Sequence, residues 1–279
     1  MKAVIFDIQN TSYVDGPGIR TTVFFKGCNL RCLWCHNPEG LSPEPQLLKY
    51  KKKCTGCGMC AEVCVRKPCA LCGRCGQVCP NSARKLCGEE LTLDQVFSRI
   101  QGEKAFFDAS RGGVTCSGGE CMLQTDFVRE LLRLCKQDGI HTAIDTAGHV
   151  PWSSFEKVLP YADLFLYDIK CIDPTLHEEG TGVDNTLILA NYRRLVHNAR
   201  VCARIPCIEG FNVGGDELER IAGFLRKYPP AGIEALPFHN MGGHKYDALG
   251  MARGSFSVPP DMEAVRRALH CPARTMGMV

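Results

Sequence analysis

The stretch Gly27-Cys28-Asn29-Leu30-Arg31-Cys32-Leu33-Trp34-Cys35-His36-Asn37-Pro38 constrains this chain most tightly, because it sets three thiols within eight residues, directly after an apolar run at 21–25. Iron–sulfur clusters take cysteine thiolates as ligands, so three of them can hold three irons of a [4Fe–4S] cube. No fourth cysteine follows locally, which leaves one iron open. An open coordination position is what separates a catalytic metal site from a closed structural one. The alternative is a zinc loop that shares a distant ligand, although zinc sites favour paired Cys-x2-Cys or Cys/His sets.

Nineteen cysteines in 279 residues are the compositional anomaly. Eight of them form two runs, Cys54-x2-Cys57-x2-Cys60-x3-Cys64 and Cys69-x2-Cys72-x2-Cys75-x3-Cys79-Pro80. In two-cluster ferredoxins the fourth cysteine of each such run ligates the other cluster. On that pattern Cys54, Cys57, Cys60 and Cys79 hold one cube, and Cys69, Cys72, Cys75 and Cys64 hold the other. Only Val65, Arg66, Lys67 and Pro68 separate the runs, and the first lacks a trailing proline, so a single cluster is the alternative. The segment reads as an electron relay or a docking point for a reductant. Cys87, Cys116, Cys121, Cys135, Cys171, Cys202, Cys207 and Cys271 lack ligand spacing and are expected to be small buried hydrophobes. Cys121, beside Gly-Gly-Glu, is the one to watch.

The Met1 start shows no charged n-region followed by an apolar h-region, and no run approaches a membrane span. A cytoplasmic location is expected, and clustered cysteines there point to metal and not to disulfides. The formal charge is only +3, and the cluster Lys49, Lys51, Lys52 and Lys53 reads as a solvated segment. Neither a nucleic-acid nor a membrane partner is expected.

Strand signals at 1–7 and 21–25 precede the cysteine-dense insert. Beyond it, Thr92 and Gln95 form a capping box that opens a helix to Ile100. Strands at 113–117, 141–145, 164–169, 201–206 and 233–238 then alternate with helices at 126–137, 152–159, 185–197, 216–228 and 261–269. Such alternation implies right-handed crossovers and a parallel sheet. The fold class is α/β, and the six strands from Thr21, Gly113, His141, Leu164, Val201 and Ile233 fit an open, partial (β/α)6 barrel. The expected division is 1–50 and 89–279 for the barrel and 51–88 for the insert. In barrel-like folds the chemistry collects at the carboxyl ends of the strands. There lie the cysteine loop, Ser117-Gly-Gly-Glu120, Asp145-Thr146, Asp168-Ile-Lys170, Arg204 and His239. Each alone reads as a cap or a turn; six in succession suggest a site.

Asp15-Gly-Pro-Gly-Ile-Arg20, Phe24-Phe-Lys-Gly-Cys28, Cys35-His-Asn-Pro-Glu39, Ser117-Gly-Gly-Glu120 and Tyr167-Asp-Ile-Lys170 together resemble the activating enzymes of glycyl radical enzymes, relatives of pyruvate formate-lyase activase within the radical S-adenosylmethionine superfamily. The likeness runs from about Ile5 to Met251. It implies that Cys28, Cys32 and Cys35 ligate a [4Fe–4S] cluster whose open iron is chelated by S-adenosylmethionine. Trp34 then matches a residue near adenine, and His36 sets its backbone beside the cofactor. Gly118 and Gly119 would let the backbone approach the ligand, and Glu120 completes a motif that receives the methionine amine. Asp145, Thr146 and Asp168 match positions that hold a monovalent cation beside the methionine carboxylate, where two carboxylates need a counter-charge. Lys170, His239 and Arg204 match S-adenosylmethionine contacts, and Asp15 a contact to the glycyl loop.

The implied reaction is reductive cleavage of S-adenosylmethionine to a 5′-deoxyadenosyl radical, which takes a hydrogen from a glycine of a partner glycyl radical enzyme. A flavodoxin or ferredoxin-type protein would donate the electron. The insert places the chain with activases that carry auxiliary clusters, such as those for glycerol or choline lyases and arylacetate decarboxylases. Two other readings compete. Another radical enzyme modifying a peptide or small molecule would have no use for the Asp15–Arg20 motif. A bare electron carrier would have none for Ser117-Gly-Gly-Glu120.

Overall fold

The computed structural model describes residues 1–64, 69–254, 256 and 258–270. Ten strands form: β1 (Lys2–Ser12), β2 (Arg20–Phe25), β3 (Gln46–Lys49), β4 (Arg84–Cys87), β5 (Glu89–Thr92), β6 (Gly113–Gly118), β7 (His141–Thr146), β8 (Leu164–Asp168), β9 (Val201–Cys207) and β10 (Gly232–Pro237). Eight of them make one open sheet in the order β10-β9-β8-β7-β6-β2-β1-β5. From β2 through β10 the neighbours are parallel, so the six expected barrel strands are the six observed. β1 and β5 extend the sheet by antiparallel pairing.

Helices cover the sheet because their apolar faces need it. In Thr125–Gln137 the buried face is Phe127, Val128, Leu131, Leu132 and Cys135, with Leu134 at its margin and not in it. Each such side chain, once buried, contributes about 1.5–3 kcal/mol. Leu93–Gln101 opens with both arms of the capping box, Gln95 N–H to Thr92 and Thr92 N–H to Gln95. Cys87, Cys116, Cys121, Cys135, Cys171, Cys202 and Cys207 are buried, as small hydrophobes should be. Cys271 and the linker Val65–Pro68 lie outside the described residues.

Among the described residues five helices lack a sequence signal: Met59–Glu62, Arg74–Gln77, Lys104–Ser110, Pro174–Thr181 and Gly243–Leu249. Each is eight residues or shorter, too short to show a periodic stripe. β1 runs five residues past the expected strand at 1–7, because β2 supplies a ladder to its polar end as far as Ser12↔Arg20. β3 and β4 pair with each other outside the main sheet and form a stem, with Gln46 opposite Cys87. No helix among the described residues is long and apolar enough to cross a membrane.

Candidate active site

A cavity of about 470 Å³ opens at the carboxyl ends of the parallel strands, within the usual range for a small-molecule site. Its wall takes Cys28, Cys32, Trp34, Cys35 and His36 from the loop after β2, Ser117, Gly118 and Gly119 from the end of β6, and Asp145 and Thr146 from β7. Asp168 and Lys170 come from β8 and its end, Arg204 from β9, and His239 follows β10. Asp15 reaches the rim from the β1–β2 turn. The structure therefore gathers these residues in one place, although they span more than two hundred positions of sequence.

The cysteine loop is held from both sides. Arg31 N–H donates to Thr181 O at 2.7 Å and Leu33 N–H to Gly180 O at 3.0 Å, both at the end of helix Pro174–Thr181. From helix Gly243–Leu249, the Tyr246 hydroxyl donates to Cys35 O at 2.9 Å, and the Lys245 ammonium reaches Asn37 at 2.9 Å and Glu39 at 2.6 Å. Burial pushes the Cys28 and Cys35 thiols up to about 12 and raises Cys32 as well. Without added positive charge these sulfurs stay protonated; a bound metal deprotonates its thiol ligands outright. Among the described residues no three His, Cys, Asp or Glu groups converge as they would on one ion. Three thiols spread around a concavity suit a cluster, which offers a separate iron to each, better than a shared zinc ion.

Charge balances in pairs on the opposite wall. Asp145 accepts from Ser117 Oγ at 2.7 Å and lies 3.4 Å from Arg204 Nη1. Burial lifts the Asp145 carboxyl to about 6, with Arg204 opposing the shift. Arg204 also meets Glu234 at 3.0 Å, because the β9–β10 register sets the two side by side. Lys170 Nζ lies 2.6 Å from Asp168. Burial works against that ammonium, but Asp168 outweighs it and holds the pKa above the usual lysine value.

Glu120 follows the two lining glycines but is not itself among the residues that line the cavity. It is fully buried behind the wall and accepts from Thr146 Oγ1 at 2.8 Å, Ala147 N–H at 2.9 Å and Met122 N–H at 3.1 Å. Burial raises its carboxyl to about 7. Its observed contacts tie the end of β6 to the end of β7. The two glycines before it line the cavity and also clear neighbouring backbone: a Cβ at Gly118 would strike the Phe25 backbone, and one at Gly119 the carbonyl oxygens of Gly27 and Gly40. Trp34 packs on Phe211 with centroids 4.4 Å apart. His36 stacks on His239 at 4.0 Å, and its buried Nε2 has no hydrogen-bond partner among the described residues. Asp15 accepts from Ser12 at 2.6 Å and Thr22 at 2.7 Å. Beneath it the fully buried Arg20 donates to Pro17 O at 3.1 Å and Thr115 Oγ1 at 2.6 Å, which fixes the Pro-Gly turn.

The insert holds two further cavities, of about 230 and 250 Å³. One is lined by Cys64, Cys69, Cys72 and Cys75, the other by Cys54, Cys57, Cys60 and Cys79. The fourth cysteine of each run thus sits with the first three of the other. Gly58 and Gly73, both left-handed at φ 82° and 74°, start the matched short helices Met59–Glu62 and Arg74–Gln77 that turn the chain back. Gly56 and Leu71 repeat the match with φ 74° and 49°.

Ser117, Glu234, Lys245 and Tyr246 belong to the site yet were not singled out from sequence as site residues. Ser117 stood inside a quoted motif. Register alone brings Glu234 to Arg204, and Lys245 and Tyr246 sit on a helix with no sequence signal.

A profile of the radical SAM superfamily matches residues 22–225. The choline trimethylamine-lyase activating enzyme of Oleidesulfovibrio alaskensis is 42% identical over 89% of this chain and 87% of its own. The trans-4-hydroxy-L-proline dehydratase activating enzyme of Clostridioides difficile is 40% identical over 89% and 88%. A radical SAM methyltransferase from Sphaerobacter thermophilus shares the fold, with a TM-score of 0.57 at 14% identity over 95% of this chain and 74% of that one.

Proposed function

The chain belongs to the radical SAM superfamily and, within it, to the activating enzymes of glycyl radical enzymes, and from that premise we propose how its residues divide the work. It reductively cleaves S-adenosylmethionine and delivers the resulting 5′-deoxyadenosyl radical to a glycine of a partner glycyl radical enzyme. Cys28, Cys32 and Cys35 hold a [4Fe–4S] cluster. When bound, the cluster supplies one electron to the sulfonium; a C–S bond breaks to methionine and the radical, and the radical takes a Cα hydrogen to leave 5′-deoxyadenosine and a glycyl radical.

This chain's residues position that exchange. Trp34, wedged on Phe211, gives a flat face for the adenine. His36 Nε2, buried and unpartnered among the described residues, and the stacked His239 offer polar edges beside it. Arg204 and Lys170 present cations to the methionine carboxylate, but Asp145, Glu234 and Asp168 set three carboxylates against those two cations, which leaves one negative charge in excess. Asp145, Thr146 and Asp168 remain the candidates for a monovalent cation there, in competition with Arg204 and Lys170. Gly118 and Gly119 bring bare backbone to the wall for the methionine amine, and Asp15, on the turn braced by Arg20, meets the glycyl loop.

The eight insert cysteines would hold two auxiliary [4Fe–4S] cubes in these cavities, and the exchanged fourth cysteines support that pairing. A flavodoxin or ferredoxin-type protein supplies electrons, and the setting is an anaerobic cytoplasm. The observation that carries the function is the gathering of three loop thiols with charged residues from the strand ends in one cavity. The test is anaerobic reconstitution, reduction with dithionite, addition of S-adenosylmethionine, and assay of 5′-deoxyadenosine with an iron count. About twelve irons with product support the full reading. Iron without product under any reductant would favour an electron carrier.

A further inference from the structure

The stem of the insert has two faces, and they are not equivalent. Side chains alternate across a strand, and residues paired opposite each other share a face. Leu48 and Cys87 lie on one face and pack against Ala248 of helix Gly243–Leu249, with Tyr50 continuing the same side. Leu47 and its partner Leu86 lie on the other.

Leu47 and Leu86 border one insert cavity and Tyr50 the other, whose wall also takes Lys49 and Arg84 from the Leu47–Leu86 face. Leu47 lines the cavity of Cys64, Cys69, Cys72 and Cys75, and Leu86 stands 3.4 Å from where a Cβ would sit on Gly73 of that same cavity. Tyr50 lines the cavity of Cys54, Cys57, Cys60 and Cys79, and its ring approaches His244 at 6.0 Å between centroids. His244 begins the helix whose Tyr246 hydroxyl donates to Cys35 O at 2.9 Å. A continuous packed path therefore runs from the second cavity through Tyr50 and this helix to a ligand loop of the active site. Between the first cavity and that helix stands the stem itself.

Resting on the auxiliary-cluster reading above, we infer that the two insert sites are ordered: the Cys54/Cys57/Cys60/Cys79 site is the inner one, which hands electrons to the Cys28/Cys32/Cys35 loop, and the Cys64/Cys69/Cys72/Cys75 site is the outer one. An external low-potential one-electron donor is oxidised as a site of the insert is reduced. One electron then moves at a time, the inner site being oxidised as the catalytic site is reduced, with no proton or bond change in the insert.

The order is read without turnover, from magnetic coupling between reduced clusters, which falls steeply with distance. Three fully reconstituted, dithionite-reduced proteins are compared by electron paramagnetic resonance: the unaltered chain, Cys57→Ala and Cys72→Ala. Relaxation of the signal that changes on adding S-adenosylmethionine reports the neighbour of the catalytic cluster. The expected result is fast relaxation in the unaltered chain and in Cys72→Ala, and slow relaxation in Cys57→Ala. The reverse pattern, or equal relaxation in both variants, overturns the order. Iron counts separate this from failure of the underlying reading. The unaltered chain should hold about eight irons beyond the catalytic cluster and each variant about four. About four in the unaltered chain would sink the two-site reading and the order with it.

Discussion

Gly119 marks how little room the cysteine loop has. Its missing Cβ would collide with the carbonyl oxygens of Gly27 and Gly40, at either end of the cluster loop. Gly119→Ala should displace that loop at a cost of about 1–3 kcal/mol. We expect a lower Tm and weakened retention of the catalytic iron; a variant that keeps both would show that the backbone yields there. Arg204 is a second single-residue constraint. It sits 5% exposed between the half-buried Asp145 and the buried Glu234, and removing it takes away the cation that both carboxylates face. Arg204→Met should cost about 3–5 kcal/mol in thermal unfolding, the range for breaking a buried ion pair. Cys32→Ala should abolish 5′-deoxyadenosine formation, and normal cleavage by it would remove Cys32 from the site. At this scale the sequence named most of the residues but not always their contacts. The Gly-Gly-Glu motif was legible, whereas the facts that Glu120 faces Thr146 and that the glycines clear neighbouring backbone depend on strand packing invisible in a linear chain.

At the scale of elements, short helices set the geometry of the site. Gly243–Leu249 holds the cluster loop through Tyr246 and Lys245 and also packs on the stem through Ala248. Tyr246→Phe removes one hydrogen bond, worth about 0.5–1.5 kcal/mol, and leaves the ring in place. The expected readouts are a Tm lower by a few degrees and faster loss of iron from the catalytic loop under chelator. Unchanged iron loss would assign the helix a purely structural role. No sequence signal marked this helix, since seven residues carry less than two full turns of periodicity. Thr92 and Gln95, in contrast, announced their helix because a capping box is a local bargain between side chain and backbone.

For the whole molecule, we propose that the open sheet and the insert are separate bodies that meet where the β3–β4 stem packs on helix Gly243–Leu249. That separation predicts that changing Cys57 and Cys72 together lowers iron from about twelve to about four while S-adenosylmethionine still binds and turnover slows. Loss of binding would mean that the insert supports the barrel itself. Alternation of strands and helices determined the six-stranded parallel sheet, because a parallel pair needs a crossover and the crossover needs a helix. Cysteine spacing brought Cys28, Cys32 and Cys35 onto one wall, because thiols close in sequence are necessarily close in space. Only the tertiary structure decided that Glu234 meets Arg204, that Tyr246 grips Cys35, and that Tyr50 of one insert cavity approaches His244. Those contacts join residues tens to hundreds of positions apart, and their partners are set by register and packing, which no local pattern of residues encodes.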